Sequence, residues 1–348
     1  MKSTVYIFIL LLITSILFSC EKIAIGKDEI NSPENNFELL WNDFDKRYAL
    51  FNVKQIDWNI LYDTYRSQVS SETTNDELWI TFTNLLDHLD DGHVILKDPV
   101  KDRYYESSGS KIDLAKEEFS LELIQTKYQE YNSKTSEIGL TFGKILNKDI
   151  GYIHLSDVEG DNPSTIDQVV ADLKKHQAII VDIRNNNGGD DDYAHRIAGA
   201  FADGEHFIYT VQTRNGIEHN DFDPKKKWFT RPEGNEQYVK PVILLTNRYV
   251  VSGAEIFTLN MKAFDHVTHI GDITAGDHSD QSLVRFLPNG WTYAYSTQLY
   301  LMPNGKSLEG IGIAPDIHIK NTKEDISARN DLVLEKAIKH LFDTYGIE

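Results

Sequence analysis

The sequence predicts an α/β fold: a largely parallel sheet flanked by helices, preceded by a small N-terminal helical bundle. Two observations carry that prediction. From Asp149 onward short apolar runs of strand character alternate with amphipathic helical stretches, the pattern of βαβ units around a parallel core. Between Asn35 and Asp90 three segments instead repeat apolar residues at three- and four-residue spacings.

The N-terminus comes first and stands apart from the fold. "MKSTVYIFILLLITSILFSC" has a basic start at Lys2, an apolar run from Val5 to Phe18, and then Ser19-Cys20. This is the pattern of a secretory signal over residues 1–19. The ending "LFSC", with Leu17 three residues before the cysteine, resembles a bacterial lipobox. Cys20 is then the expected lipidation site, residues 20–34 a tether, and the protein a lipid-anchored component of the bacterial cell envelope, periplasmic or surface-facing. Cys20 is the only cysteine in the chain, so an internal disulfide, a thiolate nucleophile and a cysteine-based zinc site are all excluded.

The helical segment is assigned to residues 35–100. "FELLWNDFDKRYALF" places Phe37, Leu40, Trp41, Phe44 and Tyr48 on one face. "DWNILYDTYRSQV" follows, with Asp57 positioned to cap it, and "NDELWITFTNLLDHL" is the third helix. Residues 101–148 have mixed, weakly periodic character and read as a connecting subdomain. The α/β part spans 149–348. In it "IGYIHL", "AIIVDI" and "PVILLTN" read as strands, and "TIDQVVADLKKH", the stretch from Tyr193 to Phe201, and "SGAEIFTLNMKAF" as helices. Strand-like pieces ("SLVRFL", "WTYAYST", "LYLMP") and a last helix, "ARNDLVLEKAIKHLF", close the chain.

At 348 residues with 41% apolar and 26% charged residues, this is an ordinary globular composition with room for two domains. The formal charge of −19 and the lack of a basic stripe exclude nucleic acid as a partner. They also disfavour electrostatic docking on anionic membranes, leaving the lipid anchor as the membrane contact. No His/Asp/Glu cluster stands at metal-ligand spacing, so neither a metal nor an organic cofactor is expected. The sequence sets no oligomeric state.

In α/β sheets reactive groups gather in the turns after strands, and three turns stand out. In "NRYVVSGAEIF", Ser252 opens a helix soon after a buried strand. One reading is a capping box, with Ser252 bonding a helix N–H and Glu255 reaching back. The other is a hydroxyl facing backbone donors able to hold an oxyanion. In "VDIRNNNGGDDD", a phosphate cradle would need a lysine, and a calcium loop would need alternating carboxylates. A glycine-rich loop exposing backbone N–H groups fits better, with the aspartates starting the next helix. The third turn, "LDHLDDGHVIL", sets His93 between an Asp-Gly turn and a strand.

Together these turns resemble the tail-specific, or C-terminal-processing, serine peptidases. "DWNILYDTYR", "LDHLDDGHVIL", "IGYIHLSDVEG", "VDIRNNNGGD", "LTNRYVVSGAEIF", "IGDITAGD" and "LEGIGIAPDI" occur in that family's order. The resemblance implies a crotonase/Clp-protease-like catalytic domain and hydrolysis of peptide or protein substrates. It implies Ser252 as nucleophile, with Gly253 and the Gly188–Gly189 pair supplying the oxyanion hole. In the processing branch a lysine follows the "T-x-G" turn as base; here Asp277 stands there, and Lys262 lies on the far side of the nucleophile's helix. The chain is instead similar to the tricorn-core branch, which implies His93 as base and Glu309 as supporting carboxylate. That branch's extra serine beside the histidine is replaced by Gly92, and no peptide-binding PDZ module is detected. His278 is the competing base, because it adjoins Asp277; were this segment a strand, only one of the two could face Ser252. The rival function is a catalytically degenerate relative that binds peptide or ligand in the same cleft. An acyl-coenzyme-A enzyme is disfavoured by export.

Overall fold

A computed structural model of the chain describes residues 30–109, 112–130, 134–135, 140–160 and 162–348. The signal segment and Cys20 lie outside the described residues. Three longer helices come first, at Pro33–Arg47, Trp58–Arg66 and Asn75–Asp87, with a one-turn helix at Phe51–Lys54 between the first two. Each of the longer three has a side-chain cap at its start: Ser32, Asp57 and the Thr74/Glu77 capping box. The helical spacing turns Phe37, Leu40, Phe44, Trp58, Leu78, Phe82 and Leu85 inward, all fully buried.

Strands β1 (Ile95–Asp98) and β2 (Arg103–Glu106) follow, then β3 (Lys134–Thr135), β4 (Leu140–Lys144), β5 (Ile150–Leu155) and β6 (Ala178–Asp182). Next come β7 (His206–Thr213), β8 (Lys226–Thr230), β9 (Val242–Thr246) and β10 (Val267–Gly271). The short pieces β11 (Arg285–Phe286), β12 (Thr292–Ala294), β13 (Gln298–Leu301) and β14 (Ile317–His318) complete the set. Strands β7, β8 and β10 are additions to the sequence reading. The run "SLVRFL" shrinks to two paired residues, Arg285 and Phe286, and Leu283, Val284 and Phe286 are all exposed.

The central sheet has the order β14-β10-β9-β6-β5-β4-β3. From β14 to β5 every neighbouring pair is parallel, and β4 and β3 extend the edge antiparallel. All residues of β5, β6 and β9 are buried, because helices cover both faces. Ile153, Val181 and Leu244 pack on one side with Val170, Ile197, Phe257 and Met261. Tyr152, Ile180 and Leu245 point the other way, toward Val333, Ala337 and Leu341 of the helix Leu332–Tyr345.

The three N-terminal helices do not close a core of their own. Leu287, Trp291, Tyr293 and Tyr295, from the late part of the chain, share one cluster with Phe37, Phe44 and Phe82. Strand β12 pairs with β1 in an antiparallel sheet of order β11-β12-β1-β2. That pairing brings the turn before β1 beside the carboxyl ends of β6, β9 and β10.

Candidate active site

Strand β9 ends at Thr246, and six residues later Ser252 precedes the helix Gly253–Lys262. Ser252 is at φ 53°, ψ −126°, a conformation that a side chain makes costly. A capping serine would have extended backbone and bond the helix; Ser252 makes no capping bond. Its Oγ lies 2.9 Å from His93 Nε2 instead. Glu255 does not reach back either. It accepts hydrogen bonds from Thr274 Oγ1 at 2.6 Å and Gly276 N at 2.9 Å. The capping-box reading is therefore corrected.

His93 is held from behind by residues the sequence reading did not single out. Its Nδ1 is 3.2 Å from Ser279 Oγ and 3.7 Å from Asp91 Oδ1, and its backbone N–H donates to Asp91 Oδ1 at 2.8 Å. Asp91 could have been suspected from "DDGH"; Ser279 carries no motif, since only folding brings it behind the ring.

The asparagine-glycine loop after β6 packs directly on Ser252, and its three asparagines do different work. Asn185 adopts φ 63° and donates to Lys116 O. Asn186, fully buried, donates to Leu155 O and accepts the Gly188 N–H at 2.9 Å, while Asn187 lines the cleft. The Gly188 donor is thus already used, which corrects its assignment to an oxyanion hole. Among the described residues, Gly189 and Gly253 show no acceptor for theirs. Gly188 (φ 86°) is needed for contact: a Cβ there would lie 2.8 Å from Val251 O and 2.9 Å from Ser252 Cβ. The aspartates do start the next helix, Asp191–Ala198, with Asp190 capping Tyr193 N.

Residues 272–280 are irregular rather than a strand, yet they separate Asp277 from His278 cleanly. Asp277 lines the cleft and accepts from Gly92 N at 3.2 Å. A Cβ at Gly92 would overlap the Asp277 carboxylate, so the glycine and the aspartate fit one another. His278 turns away and sits edge-on to Tyr209 and Tyr300. Glu309, the expected supporting carboxylate, lies beside Asp91 and Asp277. It does not bond His93; it pairs with Lys54 Nζ at 2.8 Å and accepts from His278 N at 2.8 Å. Glu309, Asp91 and Asp277 each present an oxygen within 4.8 Å of the others. Lys54, from a one-turn helix at Phe51–Lys54, supplies their positive charge.

The chain is similar to known proteins over most of its length. The model of peptidase family S41 matches residues 149–319, and that of the tricorn protease C1 domain matches residues 31–85. A crystal structure of a protein from Parabacteroides merdae, described as a candidate peptidase, superposes with a TM-score of 0.80 at 30% identity, covering 90% of this chain and 97% of that one. The chain belongs to peptidase family S41. A carboxy-terminal-processing protease of Bartonella bacilliformis is 30% identical over 181 residues, 49% of this chain and 39% of that protein. The match therefore spans about two fifths of that curated relative's length. Mature CPAF shares the fold, with a TM-score of 0.67 at 12% identity, covering 89% of this chain and 98% of that one.

In this S41 chain Ser252 and His93 open onto a cleft of about 990 Å³ that also takes in Gly189, Asp191, Asp277 and Tyr300. Burial pushes the Asp191 carboxyl up to about 6, opposed by the hydrogen bond from Tyr300. Burial likewise raises Glu255 to about 8. An acid raised in the folded state binds a proton that the unfolded chain has released. Stability contributed by Glu255 is thus present at pH 5 and lost as pH rises toward 8. The expected slope for one such group is about 1.4 kcal/mol per pH unit. Urea unfolding of Glu255→Gln at several pH values should show a flatter decline than the parent; an unchanged decline would assign it to other groups.

Proposed function

We propose that this chain is an exported, lipid-anchored serine peptidase that cleaves peptide bonds through an acyl-enzyme on Ser252, with His93 as base. The fold, on this reading, is crotonase/Clp-protease-like with an N-terminal helical bundle. The observation that carries the reading is the 2.9 Å contact between Ser252 Oγ and His93 Nε2 at the mouth of a peptide-sized cleft. A serine hydroxyl becomes an effective nucleophile when a neutral imidazole accepts its proton. Attack forms the Oγ–C bond and moves that proton to Nε2. The N–H groups of Gly253 and Gly189 face the developing oxyanion. Collapse breaks the C–N bond, and the amine leaves with the proton from His93; water, activated by the same ring, then releases the acid. Lys262 takes no part, since its ammonium pairs with Asp316 at 2.5 Å. The substrate is a peptide or protein.

A degenerate, ligand-binding relative is the competing reading, favoured by the diversion of Glu309 to Lys54. A fluorophosphonate probe separates the two. The parent protein should label and Ser252→Ala should not; a parent that stays unlabelled while folded would leave only binding. The anchor rests on "LFSC" at the end of an apolar leader. Cys20→Ala should therefore shift the exported protein from the membrane fraction to the soluble one, and retention on the membrane would refute lipidation.

A further inference from the structure

Behind His93 a chain of buried hydroxyls leads to a carboxylate. Ser279 Oγ is 3.2 Å from His93 Nδ1 and 2.6 Å from Ser296 Oγ; Ser296 donates to Asp91 Oδ2 at 2.9 Å. Tyr48 O–H also donates to that oxygen, at 3.0 Å. Asp91, Ser296 and Tyr48 are wholly buried, and Ser279 nearly so. Asp91 does not reach the ring itself, since Oδ1 is 3.7 Å from Nδ1 and is engaged by the His93 backbone N–H. Asp191, Asp277 and Asp280 face the ring electrostatically, and none bonds Nδ1.

Counting protons along this chain leaves one arrangement. Ser296 Oγ–H donates to Asp91 Oδ2, so its single proton is spent there. Ser279 must then donate to Ser296, and having no second proton it must accept from His93. Nδ1 therefore carries hydrogen, and Nε2 is left bare toward Ser252. That is the tautomer a general base needs, and it also fixes the plane of the ring.

We infer that Ser279, Ser296 and Asp91 are the positioning residues of His93, setting its tautomer and stabilising the imidazolium formed during attack. The role expected of Glu309 thus falls to Asp91, acting through two hydroxyls. As the ring gains its proton, each O–H dipole in the chain presents its negative end to it. Glu309, tied to Lys54 and the His278 N–H, takes no part. The inference rests on the peptidase reading for its effect on rate, and on geometry alone for the tautomer.

The test uses the full-length protein. Long-range proton–nitrogen spectra should show the His93 ring protonated at Nδ1 and bare at Nε2. Hydrolysis of labelled casein by Ser279→Ala should lose roughly thirtyfold in kcat with little change in KM, as expected for a hydrogen bond to a group that becomes charged. Ser279→Thr, which keeps the hydroxyl, should recover most of the loss. A ring protonated at Nε2 in the parent, or a Ser279→Ala enzyme with parental kcat, overturns the inference. If Ser279→Ala fails to fold, the parent's spectrum still decides. If Ser252→Ala hydrolyses as the parent does, it is the peptidase reading that falls, and the spectrum judges the positioning chain independently.

Discussion

Replacing His93 by alanine is expected to reduce turnover by on the order of a thousandfold or more, while His278→Phe stays within a few-fold of the parent. His93 Nε2 is within hydrogen-bond reach of the Ser252 hydroxyl, and its other nitrogen is supported. His278 has neither property. Among the described residues both of its ring nitrogens are buried without a hydrogen-bond partner, and the ring lies against Tyr209 and Tyr300. Burial, with His93 adding to it, presses its pKa down to about 4, so it stays neutral and apolar in behaviour. Phenylalanine preserves that shape, and the bond from His278 N to Glu309 belongs to the backbone. The measurement is kcat/KM for both variants, with circular dichroism confirming the fold. A working His93→Ala beside a dead His278→Phe would exchange their roles.

The second large effect is on stability. Lys54→Met should cost about 3 to 5 kcal/mol, the range for removing one partner of a buried ion pair. Lys54 is mostly buried; burial alone would lower its pKa, but Glu309 and Asp91 outweigh that and hold it raised. Three carboxyl groups lie within 4.8 Å of one another around it. Burial pushes Glu309 well above the ordinary carboxyl range, with Asp91 adding to the shift and Lys54 opposing it. Without the ammonium Glu309 loses the charge that opposes its rise, so it binds still more proton when folded than when unfolded. The deficit should therefore widen as pH rises, being larger at pH 8 than at pH 5. Denaturant midpoints across that range measure it. A loss that is small, or equal at both ends, would show that the trio is already relieved by other means.

Much of the fold was legible because it rests on local patterns. The strands Ile150–Leu155 and Ala178–Asp182 are continuous apolar runs, which a doubly covered parallel sheet requires. Ser252 and His93 could be named because each sits in a recognisable turn. Ser279, Ser296 and Lys54 could not, for none has a local signature. The pairing of Glu309 with Lys54 was hidden for a related reason: a motif gives the position of a carboxylate in the chain, not the charge it meets in space. Gly188 was assigned a free N–H because the sequence does not show that Asn186 folds back onto it.

What the sequence by itself determined is therefore the main helices and the apolar central strands, the turns that hold Ser252 and His93, and the family. What only the tertiary structure decided is how those turns meet. Ser252 follows a strand of the parallel sheet, whereas His93 precedes β1 of a separate antiparallel sheet, 159 positions away. They meet because β12 pairs with β1, and Tyr293 of β12 with the flanking Trp291 and Tyr295 packs under the N-terminal helices. The same packing carries Ser296 against Asp91. Contacts of that range depend on burial and register summed over the whole molecule, and no window of sequence contains them.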